Sequence, residues 1–301
     1  MRVAIVMNAA SGRGRARAAA DLVGVALVAR GCAVEPISIG MLDGQPDRLR
    51  DGFAAVVAAG GDGTVRSVAA RLAGSGVPIG IVPMGTENLA ARALGFRRPV
   101  PELAPALAES IVAGRVRHVD LGWVQPDGAP RTGFVVMASA GFDADVVAAL
   151  AARRRGAITH GSYALPIART AWRWRAPRIR CSEDPAGLLA GQGSLVAANA
   201  SAYALGLDPA RGANPTDGQL DLVRVPGVGV AGVAAAVWRL WWSRGANPGA
   251  RSLRSLRLPH AAVTFDRAVL WQVDGDALGA PASACAELGV DPGALAVLAL
   301  P

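Results

Sequence analysis

The feature that most constrains this 301-residue chain is an apolar run from Phe53 to Ala59. It ends in Gly60, Gly61, Asp62, Gly63 and Thr64 and passes directly into helix-forming sequence. A strand that stops in glycines lets backbone amides approach phosphate oxygens, because no Cβ intervenes. The helix N-terminus that follows adds N–H donors and a favourable dipole. A plain turn is the competing use of these residues, since Gly and Asp are ordinary turn formers. Asp62 would not itself attract phosphate; it suits a Mg2+ ion bridging the phosphates, or an acceptor hydroxyl held beside them. Thr64 is the expected N-cap of a helix over Val65 to Leu72.

The same unit recurs on either side. Val3 to Met7 reads as a strand, Asn8, Ser11, Gly12 and Gly14 as a loop, and Leu22, Val23, Ala26 and Leu27 fall at helical spacing. Cys32 to Ile39 is a second strand. Val77 to Val82 is a fourth, closed by Pro83 and Gly85, with Thr86 placed to cap a helix through Leu94. Strands alternating with helices predict a doubly wound, mostly parallel sheet up to about Ala113, and loops at the carboxyl edge of such a sheet are where ligands bind. Beyond Arg115 the rhythm changes. Val116 to Val124, Thr132 to Ala140, Arg178 to Cys181, Gly193 to Ala200, Leu220 to Val225 and Ala261 to Phe265 read as strands, interrupted by one helical insertion from about Asp145 to Trp174. That pattern predicts a β-rich, antiparallel second domain. Ala294 to Leu300 is a last apolar strand placed to return to the first.

A formal net charge of +8 and a sequence pI near 10.9 point to an anionic partner. All 31 basic residues are Arg. Without Lys there is no P-loop lysine, Schiff-base lysine or protein-kinase strand lysine, so phosphate must be held by backbone amides, helix ends, Arg or a metal. Cys32, Cys181 and Cys285 are too scattered for a disulfide framework or zinc site, which favours a cytoplasmic setting. The apolar stretch Val228 to Trp242 is shorter than the roughly 20 residues a bilayer span needs. Arg153, Arg154 and Arg155, and Trp172, Trp174, Trp238, Trp241 and Trp242, suit either ordinary surface and core roles or a lipid interface.

Three stretches of the first half, MNAASGRG, GGDGT and PMGTENLA, resemble in order the NPxSGxG, GGDGT and PxGTxNxxA motifs of diacylglycerol kinases, sphingosine kinases and related bacterial lipid kinases. Asp120, the Gly141–Ala144 segment, Gly161 to Tyr163, Asn199, the Asp217–Asp221 segment and Val273 to Asp276 continue that order over nearly the whole chain. The resemblance implies an α/β plus β architecture: an N-terminal NAD kinase-like α/β domain for the nucleotide, residues 1–114 and 287–301, and a C-terminal β-sandwich for the lipid, residues 115–286. It also implies ATP and Mg2+ as cofactors. Asn8, Ala9, Ala10, Ser11, Gly12, Gly60, Gly61, Asp62, Gly63, Thr64, Val65, Arg66, Gly85, Thr86 and Asn88 are the positions carried over for ATP. Asp217, with Asn214 and the Gln219 carbonyl, corresponds to a Mg2+ loop, against the plainer reading of a turn.

In that family a Glu in a DGE motif serves as general base, and here the matching residue is Asp276. The change shortens the reach by about 1.5 Å. Asp276 is expected to take the proton, with Asp62 and Asp120 as an acidic network around it. The expected partners are a lipid substrate at a membrane surface and possible homodimer formation, with no nucleic acid. Rival readings are a catalytically impaired pseudokinase, an NAD kinase-like enzyme sharing GGDGT, and a dinucleotide oxidoreductase. The last needs a third glycine where Arg17 stands, although Glu35 falls near the place of a ribose-binding acid.

Overall fold

The structure is a computed structural model describing residues 1–8, 15–45, 47–152, 169–172, 174–203, 206–242 and 253–301. The chain divides into two compact units, Met1–Val119 with Gly293–Pro301, and Asp120–Pro292.

In the first unit, β1 (Arg2–Met7) lies between β2 (Ala33–Ser38) and β3 (Ala55–Gly60), both parallel to it. β4 (Ile79–Pro83) continues beside β3, and Val297, near the end of β16 (Ser283–Leu298), pairs in parallel with Ile79 of β4. The order β2-β1-β3-β4-β16 reverses direction between β1 and β3. Every residue of β3 is buried, which explains its unbroken apolar sequence. α1 (Arg15–Val28) joins β1 to β2 and α2 (Asp62–Leu72) joins β3 to β4; with the usual right-handed crossover, connections that leave a switch point in opposite directions place their helices on opposite faces. α3 (Leu89–Ala93) and α4 (Val100–Val112) follow, α4 packing against α1. The terminal strand is tied in at several points: Gly74 N–H donates to Ala294 O (2.8 Å), Ala299 N–H to Arg115 O (2.9 Å), and Ser110 Oγ to Ala299 O (2.7 Å).

The second unit is a β-sandwich. One sheet runs β12 (Ser255–Leu258), β11 (Leu220–Val225), β10 (Ser194–Ala198), β7 (Met137–Ala140), β14 (Trp271–Val273), β15 (Asp276–Ala277), each neighbour antiparallel. The other joins β16, β13 (His260–Val269), β8 (Arg178–Cys181) and β9 (Gly191–Gln192), with β5 (Val116–Pro126) pairing β16 and β6 (Thr132–Phe134). Phe134, Ile179, Val263 and Leu288 of this sheet pack with Leu195, Leu222 and Trp271 of the other. Phe265 meets Trp271 edge to face at 6.0 Å. α5 (Phe142–Ala151) and α6 (Gly229–Trp242) complete the unit. The single strand expected over Thr132 to Ala140 is two, β6 and β7, because the backbone at Val135, Val136 and Met137 turns to donate to a buried carboxylate. No described helix is long and apolar enough to cross a membrane.

Candidate active site

The loops after β3 and β4 interlock. A Cβ on Gly85 would lie 2.8 Å from Gly61 Cα, and one on Gly60 would lie 2.4 Å from Thr64 Oγ1, so neither glycine has room for a side chain. Met84 N–H donates to Gly60 O (2.9 Å). Asn88, at φ 50°, folds its side chain back on the same turn: Oδ1 accepts from Gly85 N–H (2.7 Å) and Nδ2 donates to Gly85 O (2.9 Å). Asp62 links the two loops, its Oδ1 accepting from Ala90 N–H (2.9 Å) in the first turn of α3. That bond satisfies a helix-start amide that α3 cannot pair internally.

Two capping expectations are corrected here. α2 starts three residues early, capped by Gly61, and Thr64 lies inside it with its side chain buried; the acidic Asp62 in the first turn suits the helix dipole. α3 is capped by Asn88 in the left-handed region, which Asn tolerates, and Thr86 is exposed on the turn before it. Among the other carried-over positions, Val65 turns its side chain into the core, so only its backbone is available to a ligand. Asn8 sits at the end of β1, its N–H donating to Ala59 O (3.4 Å). The ends of β1 and β3 therefore adjoin at the reversal of strand order, where open α/β sheets bind ligands. Ala9, Ala10, Ser11 and Gly12 lie outside the described residues, as do Arg153 to Arg155, Gly161 to Tyr163, and the side chains of Trp241 and Trp242.

In the second unit, Asp274 and Gly275 have φ 47° and 86°, the signature of a type I′ hairpin joining β14 to β15. The Asp274 side chain is buried and clamps the β6–β7 junction: Oδ2 accepts from Val135 N–H (2.8 Å), and Oδ1 from Val136 (2.8 Å) and Met137 (3.0 Å). Asn199 holds the same segment from the other side, donating through Nδ2 to Val135 O and Asp120 O, both at 2.9 Å. The turn leaves Asp276 half-buried at the start of β15, opposite Val273. Asp120 is brought together with the loop before β11. Its Oδ2 accepts from Gly218 N–H (2.8 Å), its own N–H donates to Pro215 O (2.7 Å), and Asp217 Oδ1 accepts from Gln219 N–H (3.1 Å). Asn214 Oδ1 accepts from Thr216 Oγ1 (2.9 Å). These donors are all oxygens, the chemistry a hard cation prefers. Among the described residues, no group of three His, Cys, Asp or Glu side chains is disposed to hold a metal.

A polar network missed by the sequence reading runs behind the hairpin. Gln272 is buried; its Oε1 accepts from Gly275 N–H (2.8 Å) and its Nε2 donates to Ser139 Oγ (2.5 Å). Ser139 Oγ in turn donates to Asp143 Oδ2, which also accepts from Tyr203 OH (2.8 Å). Burial pushes the Asp143 carboxyl above its ordinary value, against the pull of Ser139 and Tyr203, and burial also lifts the neighbouring Asp145. The signal available was the alternation in β7, which turns Ser139 to the same face as Met137 and away from Ala138.

An α/β unit with glycine loops at a switch point, followed by a β-sandwich with a DG hairpin, is an architecture of the NAD kinase-like type. Residues 2–124 match the family described as diacylglycerol kinase catalytic domain, and residues 136–299 match the YegS C-terminal NAD kinase beta sandwich-like domain. The chain belongs to this family of bacterial diacylglycerol and YegS-type lipid kinases. It is 39% identical over 92 residues to a protein named "Diacylglycerol kinase" from Mycobacterium tuberculosis, covering 31% of this chain and 29% of that one. It is 41% identical over 104 residues to one named "Probable lipid kinase YegS-like" from Pseudomonas aeruginosa, covering 34% and 31%. The matched stretch thus spans about a third of these relatives' length. A diacylglycerol kinase crystal structure from Bacillus anthracis shares the fold, with a TM-score of 0.69 at 17% identity over 100% of this chain and 97% of that one.

Proposed function

We propose that this protein is an ATP-dependent kinase that phosphorylates a hydroxyl on a diacylglycerol-like or related lipid acceptor. The observation that carries the reading is the close approach of Gly61 and Gly85 at the carboxyl edge of the first sheet, a cradle that a single Cβ would fill. ATP phosphates lie against the amides of Gly60 to Arg66 and the turn of Gly85, Thr86 and Asn88, and Asn8 to Gly12 are carried over as ATP-binding positions by their motif alone. The unit of Met1–Val119 and Gly293–Pro301 takes the nucleotide, and the unit Asp120–Pro292 takes the acceptor. Asp276 accepts the proton of the acceptor hydroxyl, and Asp62 and Asp120 are the other carboxylates assigned to catalysis in this reading. Asp217, Asn214 and the Gln219 carbonyl would hold Mg2+, which when bound supplies charge neutralisation.

The shorter Asp276 side chain favours a second reading, a protein that binds nucleotide and lipid without turnover. Calorimetric titration with Mg·ATP, run beside product formation, separates the two. The kinase reading expects wild-type binding and turnover, and an Asp276→Asn variant that binds ATP within about threefold of wild type but loses turnover by at least about 100-fold. Unchanged turnover in Asp276→Asn removes that residue as base. ATP binding by wild type with no product from any lipid alcohol selects the second reading.

A further inference from the structure

α6 is made of Gly, Ala, Val, Leu and Trp, with Arg239 its one charged residue. A helix apolar around its circumference belongs in a core or a membrane. Yet among residues 229–240 only Val233 is buried, and Val230, Val237 and Trp238 are exposed, Trp238 to 60%. Val233 packs on Trp174 and Ala176, which ties the helix to the residues that lead into β8, and residues 169–172 precede them in the chain. There Trp172 is 80% exposed, and Arg169, Arg175, Arg178 and Arg180 are exposed as well. None of these four Arg, nor Arg239, forms an ion pair among the described residues.

The sequence around these elements is segregated by charge. No acidic residue occurs between Asp145 and Glu183 or between Asp221 and Asp266, although 14 of the 31 Arg lie in those two intervals. The remainder of the chain carries 17 Arg against 23 acids, so the net charge of +8 conceals two basic stretches of sequence, to which the exposed Arg169, Arg175, Arg178, Arg180 and Arg239 belong, in an otherwise acidic chain. An apolar surface with unpaired Arg and exposed Trp is complementary to one occupant, the boundary between anionic headgroups and acyl chains. There Trp sits at the interface, and Arg buries its stem while meeting phosphate. A second copy of the chain would bring Arg against Arg.

We propose that α6 and residues 169–172 and 174–180 form the surface by which this protein lies on an anionic bilayer. The proposal rests on the lipid-kinase reading for its purpose, since docking would bring the enzyme to a membrane-borne acceptor, but the face is defined without it. The test is flotation of the full chain with vesicles of phosphatidylcholine alone or with about 30% phosphatidylglycerol, at about 0.1 M and about 0.5 M NaCl. In parallel, phosphorylation of a short-chain, detergent-dispersed diacylglycerol is followed. The expected result is at least about tenfold more binding to the anionic vesicles, weakened by salt, and lost about tenfold in the Trp172→Ser/Trp238→Ser double variant while its activity on the dispersed acceptor is retained. Equal flotation of wild type and double variant overturns the proposal, as does equal binding to neutral and anionic vesicles. A wild type that does not float but phosphorylates the dispersed acceptor overturns the docking face and leaves the kinase reading standing. One that floats as expected without phosphorylating any acceptor supports the face and defeats the kinase reading. A dimer converted to monomer by the double variant, with flotation unchanged, assigns the face to a second copy and also overturns the proposal.

Discussion

At Gly85 the geometry leaves no space: a methyl group would sit 2.8 Å from Gly61 Cα and 2.9 Å from Asn88 Oδ1. Gly85→Ala is therefore expected to spread the two loops, weakening ATP binding at least about tenfold in a calorimetric titration, with a stability loss of roughly 1–3 kcal/mol. Asp274 has a different task from its neighbour Asp276. It accepts three backbone N–H bonds out of reach of solvent, and its φ of 47° belongs to the region Asp tolerates better than Ala. Asp274→Ala should cost about 3 kcal/mol or more by leaving those donors unpaired, read as a fall in the denaturant midpoint. Asp276→Asn should leave that midpoint nearly unchanged, so that stability alone separates the structural acid of this short motif from the one proposed as base.

At the scale of elements, strands were legible where burial forced an unbroken apolar run or turn chemistry bounded them. Arg178 to Cys181 and Leu220 to Val225 are strands at those very limits. Helix starts were less legible, because both helix-start amides and phosphate loops use Gly, Asp, Asn and Thr, and N-cap preference, which sets Thr level with Gly, does not by itself choose Gly61 over Thr64; the tertiary packing does. The hairpin strands β14 and β15 are too short to announce themselves, although the Asp-Gly pair is a strong hairpin signal. The network behind them was illegible because Ser139, Asp143, Tyr203 and Gln272 meet only through the sheet pairing of β7 with β14 and the start of α5. That network predicts a pH effect. Burial favours the neutral Asp143 carboxyl, so its contribution to stability is full below the unfolded value near 3.8 and is lost as pH rises through the raised folded value. Thermal melts should accordingly show the wild type gaining on Asp143→Asn as pH falls from about 8 to about 4. A constant difference across that range would mean the carboxyl stays charged in the fold.

For the whole molecule, the ordered motifs made the two-part architecture readable. The parallel α/β unit came from strand and helix alternation, and the β-sandwich from its loss. A net value of +8 does not convey the distribution of charge, because it averages two basic stretches of sequence with an acidic remainder. Asp120 is a case in point at the other end of the scale: its Oδ2 accepts from Gly218 N–H and its own N–H donates to Pro215 O, pairings across about a hundred residues of chain. Lengths of chain between motifs do not reveal which carboxylate a buried backbone amide will claim.

The most direct test of the central claim is transfer of label from γ-labelled ATP, with Mg2+ and a total lipid extract, into a chloroform-soluble product. Wild-type protein should yield a labelled phospholipid whose acceptor can then be identified, and Asp276→Asn should not. Wild-type protein that binds ATP yet leaves all label in the aqueous phase, across the whole extract, would contradict the lipid-kinase account.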